Sequence, residues 1–260
     1  MRPVVYPRDL KLPPNPDFGN GFAWRRIELV NEPGRTTGHL ADTFHEMRCE
    51  VAHGEGRVRA ISGTMIRYPT TLCPGASEPL QALVGRSIHE APLSLYRFGA
   101  LAGHCTHLLD LSYHVISHAT RSEPVARYEA TVPDEVSDPV PCEVRRDGEL
   151  LLRWTVRRGV VLQPANLQGL PLAAGFLRAA VRQLHPEQLG AALLLARTYF
   201  ISNGRRYDMR KVAGLPTSEN LALKNRCFAY SESHGDRGRF RGESQLDLKS
   251  PQSLFQDGEK

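Results

Sequence analysis

The sequence predicts an α+β fold: an antiparallel three-stranded meander followed by helices, with an added antiparallel β segment and C-terminal helices. Three observations lead to this prediction. Early segments alternate polar and apolar residues with a period of two, which is typical of half-buried strands. Beyond Pro69 the apolar residues change to helical spacing, and the strand pattern returns from about 125 to 163. Short connections between strands favour antiparallel pairing.

The sequence predicts three strands in the meander. The first is the alternating segment Arg25-Arg-Ile-Glu-Leu-Val, which Asn31-Glu-Pro-Gly ends. The second contains Phe44, Met47, Cys49 and Val51, places Asp42 and His45 at its start, and ends at Gly54-Glu-Gly. The third runs from Arg57 to about Tyr68.

Helices are predicted in both halves of the chain. One begins at Cys73 and ends at Gly85, and the next runs from Cys105-Thr106 to about Ala119. After the 125–163 strands, in which Arg146-Asp-Gly predicts a hairpin turn, helices are expected at about 171–183 and 186–201.

The predicted organisation is one elaborated domain with two appendages. An extended arm occupies 1–22, and the α+β domain occupies 23–230, with its core at 24–120, a β insertion at 125–163 and helices at 171–201. Residues 231–260 are polar and predict a loosely ordered tail with local anchors. A chain of 260 residues is long enough to bury a core without disulfides or structural metals.

Composition limits the classes of partner. The chain is 41% hydrophobic and 23% charged, which is ordinary for a soluble globular protein, and carries a net charge of +5. Its basic residues are spread out rather than interleaved with aromatics, so a solvated surface is favoured over a nucleic-acid interface. No apolar run is long enough for a membrane span or a signal-peptide core, so we expect a cytoplasmic protein without a membrane partner. The oligomeric state stays open.

The cysteines point to chemistry rather than to disulfides. There are five, an odd number and widely spaced, which favours free thiols: Cys49, Cys73, Cys105, Cys142 and Cys227. Cys73 and Cys105 each open a predicted helix, where unpaired N–H groups and the helix dipole stabilise a thiolate. Both are therefore predicted to be nucleophiles or metal ligands, while Cys49 and Cys142 lie in strand patterns and are expected to be packing residues.

Histidines and one arginine complete the predicted site. His104 and His107 flank Cys105, where an imidazole takes the thiol proton or completes a metal shell. The predicted catalytic residues are Cys73, Cys105, His107 and Arg67, with Arg67 binding a substrate carboxylate. The candidate metal ligands, for Zn or Fe, are Cys73, Cys105, His104, His107, His45 and Asp42.

Plainer interpretations stay open beside these. Cys73 and Cys105 fit small buried hydrophobes as well as ligands. Asp110, His114 and His118 continue the helix face of His107, and this stripe is interpreted as a polar face, with Asp110 able to orient His107. A lone histidine such as His45 is more often structural. Phosphate-binding and dinucleotide-binding glycine motifs are absent, so no nucleotide cofactor is expected.

In these motifs the chain resembles the bacterial domain-of-unknown-function family 2889. The matching features span most of 24–245: Asp42 with His45, Arg67 with Pro69 and Cys73-Pro-Gly-Ala, Leu83-Val-Gly, Cys105-Thr-His-Leu108, Gly204-Arg and Cys227. That family usually has Gly where this chain has His104. The resemblance implies a similar fold and site, and a setting among genes for the catabolism of aromatic or other recalcitrant compounds.

Residues 40–119 also resemble, more distantly, the iron–sulfur cluster assembly scaffold. Three strands, a cysteine opening a helix and then His104-Cys105 opening another follow the order of that fold. The scaffold's first cysteine is absent here, and Ala41-Asp42 stands in its place. The resemblance implies a scaffold-like core with a Zn or Fe site or a reactive thiol.

Two functions follow as expectations. The first is an enzyme acting on an aromatic-derived or other organic acid, as a lyase, hydratase, hydrolase or isomerase. The second is a metal- or sulfur-handling protein without turnover of its own. The extra residues beyond a scaffold-sized core favour the enzyme, because a substrate pocket is a common use for them.

Overall fold

A computed structural model describes residues 12–90, 103–173 and 175–247 of the chain. It combines α-helices with an eight-stranded antiparallel sheet of order β4-β3-β2-β1-β5-β6-β7-β8. The strands are β1 (Phe22–Glu32), β2 (Arg35–Asp42), β3 (Glu46–Gly54), β4 (Arg57–Arg67), β5 (Val125–Pro133), β6 (Val140–Arg146), β7 (Glu149–Arg157) and β8 (Val160–Gln163). The longer helices are the 3₁₀ helix η1 (Cys73–Leu83) and the α-helices α1 (Thr106–His118), α2 (Phe176–Gln183) and α3 (Pro186–Ser202). Short 3₁₀ turns follow from Asn203 onward.

The chain divides into two compact units, where the sequence predicts one domain. The first unit comprises Met1–Arg26, Arg127–Asp208 and Leu246–Lys260. The second unit comprises Ile27–Ala126 and Met209–Gln245. Each unit is therefore built from segments that are far apart along the chain.

The second unit contains one strand more than the predicted meander. Strand β2 alternates between buried and partly exposed residues and pairs antiparallel with β3, which pairs in turn with β4. The apolar signal of β2 is weak because its buried positions are occupied by Thr36, Gly38, Leu40 and Asp42. Asp42 is the last residue of β2, and His45 lies just before β3. Both residues therefore belong to the β2–β3 hairpin turn, whereas the sequence predicts them at the start of a strand.

Helix α1 packs against β2 and β3, and two glycines allow its close approach. A Cβ atom added at Gly38 would lie 2.5 Å from Cγ2 of Val115, and one added at Gly63 would lie 2.8 Å from Cδ2 of Leu108. Real side chains do not pack at such distances, so the sheet surface at both positions has to be backbone only. This close packing fixes the first turn of α1 beside the β2–β3 turn.

The first unit confirms the predicted hairpin and the two C-terminal helices. At the β6–β7 turn, Asp147 and Gly148 both have positive φ, 50° and 87°, as a two-residue hairpin of this kind needs. Helix α3 starts at Pro186 as expected, whereas α2 starts only at Phe176, later than the predicted 171. The helices of the described residues are not long and apolar enough for any of them to cross a membrane.

A buried ion pair links distant segments of the first unit. Arg205 is 2% exposed and donates from Nε and Nη2 to the two oxygens of Asp134, at 2.7 and 3.0 Å. Asp134 also accepts the backbone N–H groups of Gly19 and Gly21. Part of the predicted N-terminal arm is thereby tied to the unit.

The described part of the predicted tail is packed in place. Phe240 forms an antiparallel bridge with Thr70 and is 3% exposed, and Ser244 is fully buried. The polar composition of 231–260 therefore does not produce a loose segment up to residue 245. Backbone hydrogen bonds join residues 238–241 to residues 69, 71, 215 and 217, and the side chain of Gln245 accepts the N–H of Met209. Residues 248–260 lie outside the described part of the chain.

Candidate functional site

A buried cluster of one carboxylate and two imidazoles lies in the second unit. Asp42, His45 and His107 each offer one ligand atom, and these atoms all lie within 4.8 Å of one another. Two come from the β2–β3 turn and the third from the first turn of α1. Of the six metal ligands that the sequence predicts, the structure brings these three together.

The turn itself orients His45. Oδ1 of Asp42 accepts the backbone N–H groups of Phe44 and His45, both at 2.7 Å, which is the usual way an aspartate closes a tight turn. The same oxygen lies 3.0 Å from Nδ1 of His45. A proton on Nδ1 satisfies this contact and leaves Nε2 with the lone pair, as in carboxylate–histidine pairs at metal and acid–base sites.

His107, the third residue of the cluster, packs its ring against the ring of His45. The rings of His45 and His107 have their centroids 4.1 Å apart, with an angle of 43° between their planes. His45 and His107 are each 8% exposed, and Asp42 is fully buried. Water is therefore largely excluded, which strengthens any charge interaction within the cluster.

Arg67 holds the turn from outside. Its Nη2 donates to the backbone carbonyls of Asp42, at 2.5 Å, and His45, at 3.0 Å. Its Nη1 donates to the carbonyls of Thr43 and Ser244. Burial lowers the pKa of Arg67, and the charge of Asp42 partly offsets this effect. Nη1 and Nη2 are thus engaged by backbone carbonyls, whereas Nε has no hydrogen-bond partner within the described residues. The binding of a substrate carboxylate by Arg67 stays a prediction.

A second cluster consists of thiols. Cys105 precedes α1, Cys73 opens η1 and Cys227 precedes a short 3₁₀ turn. Charge on Cys227 or Cys73 raises the pKa of Cys105, and charge on Cys73 raises that of Cys227, so the three groups interact electrostatically. The three sulfur atoms do not all lie within 4.8 Å of one another, so a common site for Cys73 and Cys105 stays a prediction. Cys227 is a third thiol that influences both, and its distance from them along the chain gives no spacing signal that could have predicted this.

The predicted stabilisation of thiolate is wrong for these cysteines. Burial is the largest influence on Cys73 and Cys105 and raises the pKa of both thiols. The N–H groups of Leu108 and His107 do lower the pKa of Cys105, as expected at a helix start, but the loss of water outweighs them. Burial also raises the pKa of Cys227 to about 11. At neutral pH the cluster is protonated and a weak nucleophile.

The remaining predicted residues lie around these two clusters. His104 is half-buried, and its carbonyl accepts the N–H of Phe228 at 2.9 Å. Asp110, His114 and His118 are buried on α1, where the sequence suggests a polar face. That face is covered because α1 is enclosed on nearly all sides in its unit. The orienting role of Asp110 stays a prediction. Cys49 and Cys142 are buried within β3 and β6, as expected of packing residues.

Comparison with known proteins adds no assignment, since neither a family model nor a curated protein matches the chain.

Proposed function

We propose that this protein is a cytoplasmic enzyme of small-molecule catabolism that acts on an aromatic-derived or other organic acid. The reaction is of the lyase, hydratase, hydrolase or isomerase type, and its centre is the cluster of Asp42, His45 and His107. The observation that carries the proposal is the approach of three ligand atoms to within 4.8 Å in a buried place. Two imidazoles and one carboxylate are a common donor set of catalytic Zn and Fe centres.

The three side chains have separable tasks in this proposal. His45 and His107 supply imidazole nitrogens, Asp42 fixes the orientation of His45, and Arg67 holds the turn that carries both residues. A Zn or Fe ion held by these residues would act as a Lewis acid and provide hydroxide from bound water. Without an ion, the imidazole pair itself transfers protons to and from the substrate.

Metal binding tests the cluster directly. Calorimetry is expected to show that the wild-type protein binds one Zn²⁺ per chain. The substitutions His45→Ala and His107→Ala are each expected to lower the affinity for Zn²⁺ by about 100-fold or more. His89→Ala is the matched control, because His89 is an exposed histidine of the same unit. Unchanged Zn²⁺ binding in both cluster variants would rule out a metal centre at this place.

Turnover tests the enzyme. A panel of hydroxy acids, unsaturated acids and their esters, followed by proton NMR in D₂O, detects hydrolysis, hydration and proton exchange at carbon. Turnover is expected in the wild type and in Cys105→Ser, and is expected to disappear in His107→Ala. If His107→Ala keeps its turnover and Cys105→Ser loses it, the thiols carry out the reaction and the proposal is contradicted.

The thiol cluster favours one alternative, a metal- or sulfur-handling protein without turnover. Three cysteines from three segments of the chain influence one another's pKa, and thiols are soft donors for Zn²⁺ or carriers of a sulfur atom once they are brought within reach of it. This alternative predicts that metal or persulfide on the purified protein is lost in Cys73→Ser and Cys227→Ser. It also predicts that His107→Ala leaves that content unchanged.

A further inference from the structure

The C-terminal segment of the second unit, Met209–Gln245, buries few apolar side chains. Its backbone is described throughout, and it consists of 3₁₀ turns of three to six residues with loops and isolated bridges. Among its described side chains, the buried apolar ones are those of Met209, Val212, Ala229 and Phe240. Helix α1 of the same unit, by contrast, buries nearly all of its residues. Local opening favours segments with few buried apolar contacts, so we expect 209–245 to open before the rest of its unit.

This segment, the lid, packs against the chain next to two buried thiols. Cys73 and Cys105 are 7% and 8% exposed. The N–H of Phe228, in the lid, donates to the carbonyl of His104 at 2.9 Å, one residue before Cys105. The ring of Phe228 also lies against η1, since a Cβ atom added at Gly75 would be 3.1 Å from its Cζ. Phe228 therefore contacts the chain within two residues of each cysteine.

A buried aromatic residue anchors the lid beside Cys73. Phe240 is 3% exposed and forms an antiparallel bridge with Thr70. Oγ1 of Thr70 is in turn 3.2 Å from Sγ of Cys73. Backbone hydrogen bonds from residue 71 to residue 239 and from residue 241 to residue 69 lie on either side of this bridge. The side chain of Phe240 is thus the main apolar contribution of the lid at this place, and its removal should favour opening.

We propose that the lid opens without unfolding of the rest of its unit and exposes Cys73 and Cys105 to modification by small disulfides. In the open state, the thiolate of either cysteine attacks one sulfur of the disulfide. A new S–S bond forms, the S–S bond of the reagent breaks, and its other half leaves as a thiolate, while the cysteine proton goes to water. The closed lid suppresses this reaction, because it keeps both thiols away from the reagent. This inference does not rest on the proposed function, since the Asp–His–His cluster takes no part in it.

Labelling of the full chain with dithiodipyridine, followed by mass spectrometry, measures the rate at each cysteine. Division by the rate of the same cysteine in urea-unfolded protein gives the population in which that thiol is exposed. Cys49 is the internal control, because it is 1% exposed in β3 of the same unit and is expected to react only when the unit unfolds. Cys73 and Cys105 are expected to react at least about 100-fold faster than Cys49. Equal rates at all three cysteines would overturn the inference.

Two variants separate opening of the lid from unfolding of the unit. Phe240→Ala removes the anchor and is expected to speed the labelling of Cys73 and Cys105 by about 100-fold or more. Leu29→Ala, the matched control, truncates a side chain that is 2% exposed in β1 and stays packed when the lid opens. It is therefore expected to speed the labelling of Cys49 and to leave the rates at Cys73 and Cys105 unchanged. If Leu29→Ala speeds the labelling of all three cysteines alike, the thiols react only through unfolding of the unit and the inference is wrong.

Discussion

Replacing Arg67 with Met tests whether the guanidinium holds the turn that carries Asp42 and His45. Methionine keeps an unbranched apolar stem of similar reach but removes every donor. In the wild type Nη2 donates to the carbonyls of both turn residues, at 2.5 and 3.0 Å. The variant therefore leaves these carbonyls without their charged partner.

The size of the effect follows from those two bonds. A hydrogen bond to a charged group contributes about 1.5–3 kcal/mol to stability, and half-buried groups lie at the lower end. The two Nη2 bonds account for a loss of about 3 kcal/mol in the free energy of unfolding, and the loss of the Nη1 bonds to Thr43 and Ser244 adds to it. With a urea dependence of about 2 kcal/mol per molar, the midpoint should fall by at least about 1.5 M.

Urea unfolding followed by fluorescence measures this shift. Arg48→Met is the matched control, because Arg48 is exposed on β3, and it should change stability by less than about 0.5 kcal/mol. Zn²⁺ binding at the Asp–His–His cluster should weaken in Arg67→Met and not in Arg48→Met. If Arg67→Met is as stable as the control and only raises the KM for an organic acid, Arg67 is a substrate ligand and the positioning role is wrong.

Three other predictions concern separate parts of the molecule. Because burial raises the pKa of Cys227 from 9.0 to about 11, the unfolded thiol ionises first, and stability should fall as pH rises from 9 to about 11. Urea unfolding at pH 8 and 10.5 should show that the free energy of unfolding falls less in Cys227→Ala than in the wild type. An equal fall in both proteins would contradict the raised pKa of the Cys227 thiol. Asp134→Ala should destabilise the protein by about 3 kcal/mol, because Arg205 loses two charged hydrogen bonds and keeps only Asp247 as a carboxylate partner, and a loss below about 1 kcal/mol would argue against that pair. Gly38→Ala should lower the unfolding midpoint by the equivalent of about 1–3 kcal/mol, since its Cβ would lie 2.5 Å from a carbon of α1. Gly103→Ala, whose Cβ would meet no atom of the described residues within 4 Å, should be neutral.

Local chemistry was enough to predict several elements. An Asp-Gly pair tolerates positive φ at both positions, so the β6–β7 turn follows from Asp147 and Gly148 alone. Proline suits the first turn of a helix, which fixes the starts of η1 and α3.

Tertiary contacts decided the rest. Strand β2 was missed because Gly38 and its polar neighbours carry little apolar signal, and it is α1 that buries them. Asp42 and His45 were recognised as candidate ligands, but only the hairpin turn and the packing of α1 place them against His107. Burial is a property of the assembled unit, and it reverses the effect that a helix start alone would have on Cys105. The sequence by itself therefore determined which residues could carry chemistry, while the tertiary structure decided which of them meet and whether water reaches them.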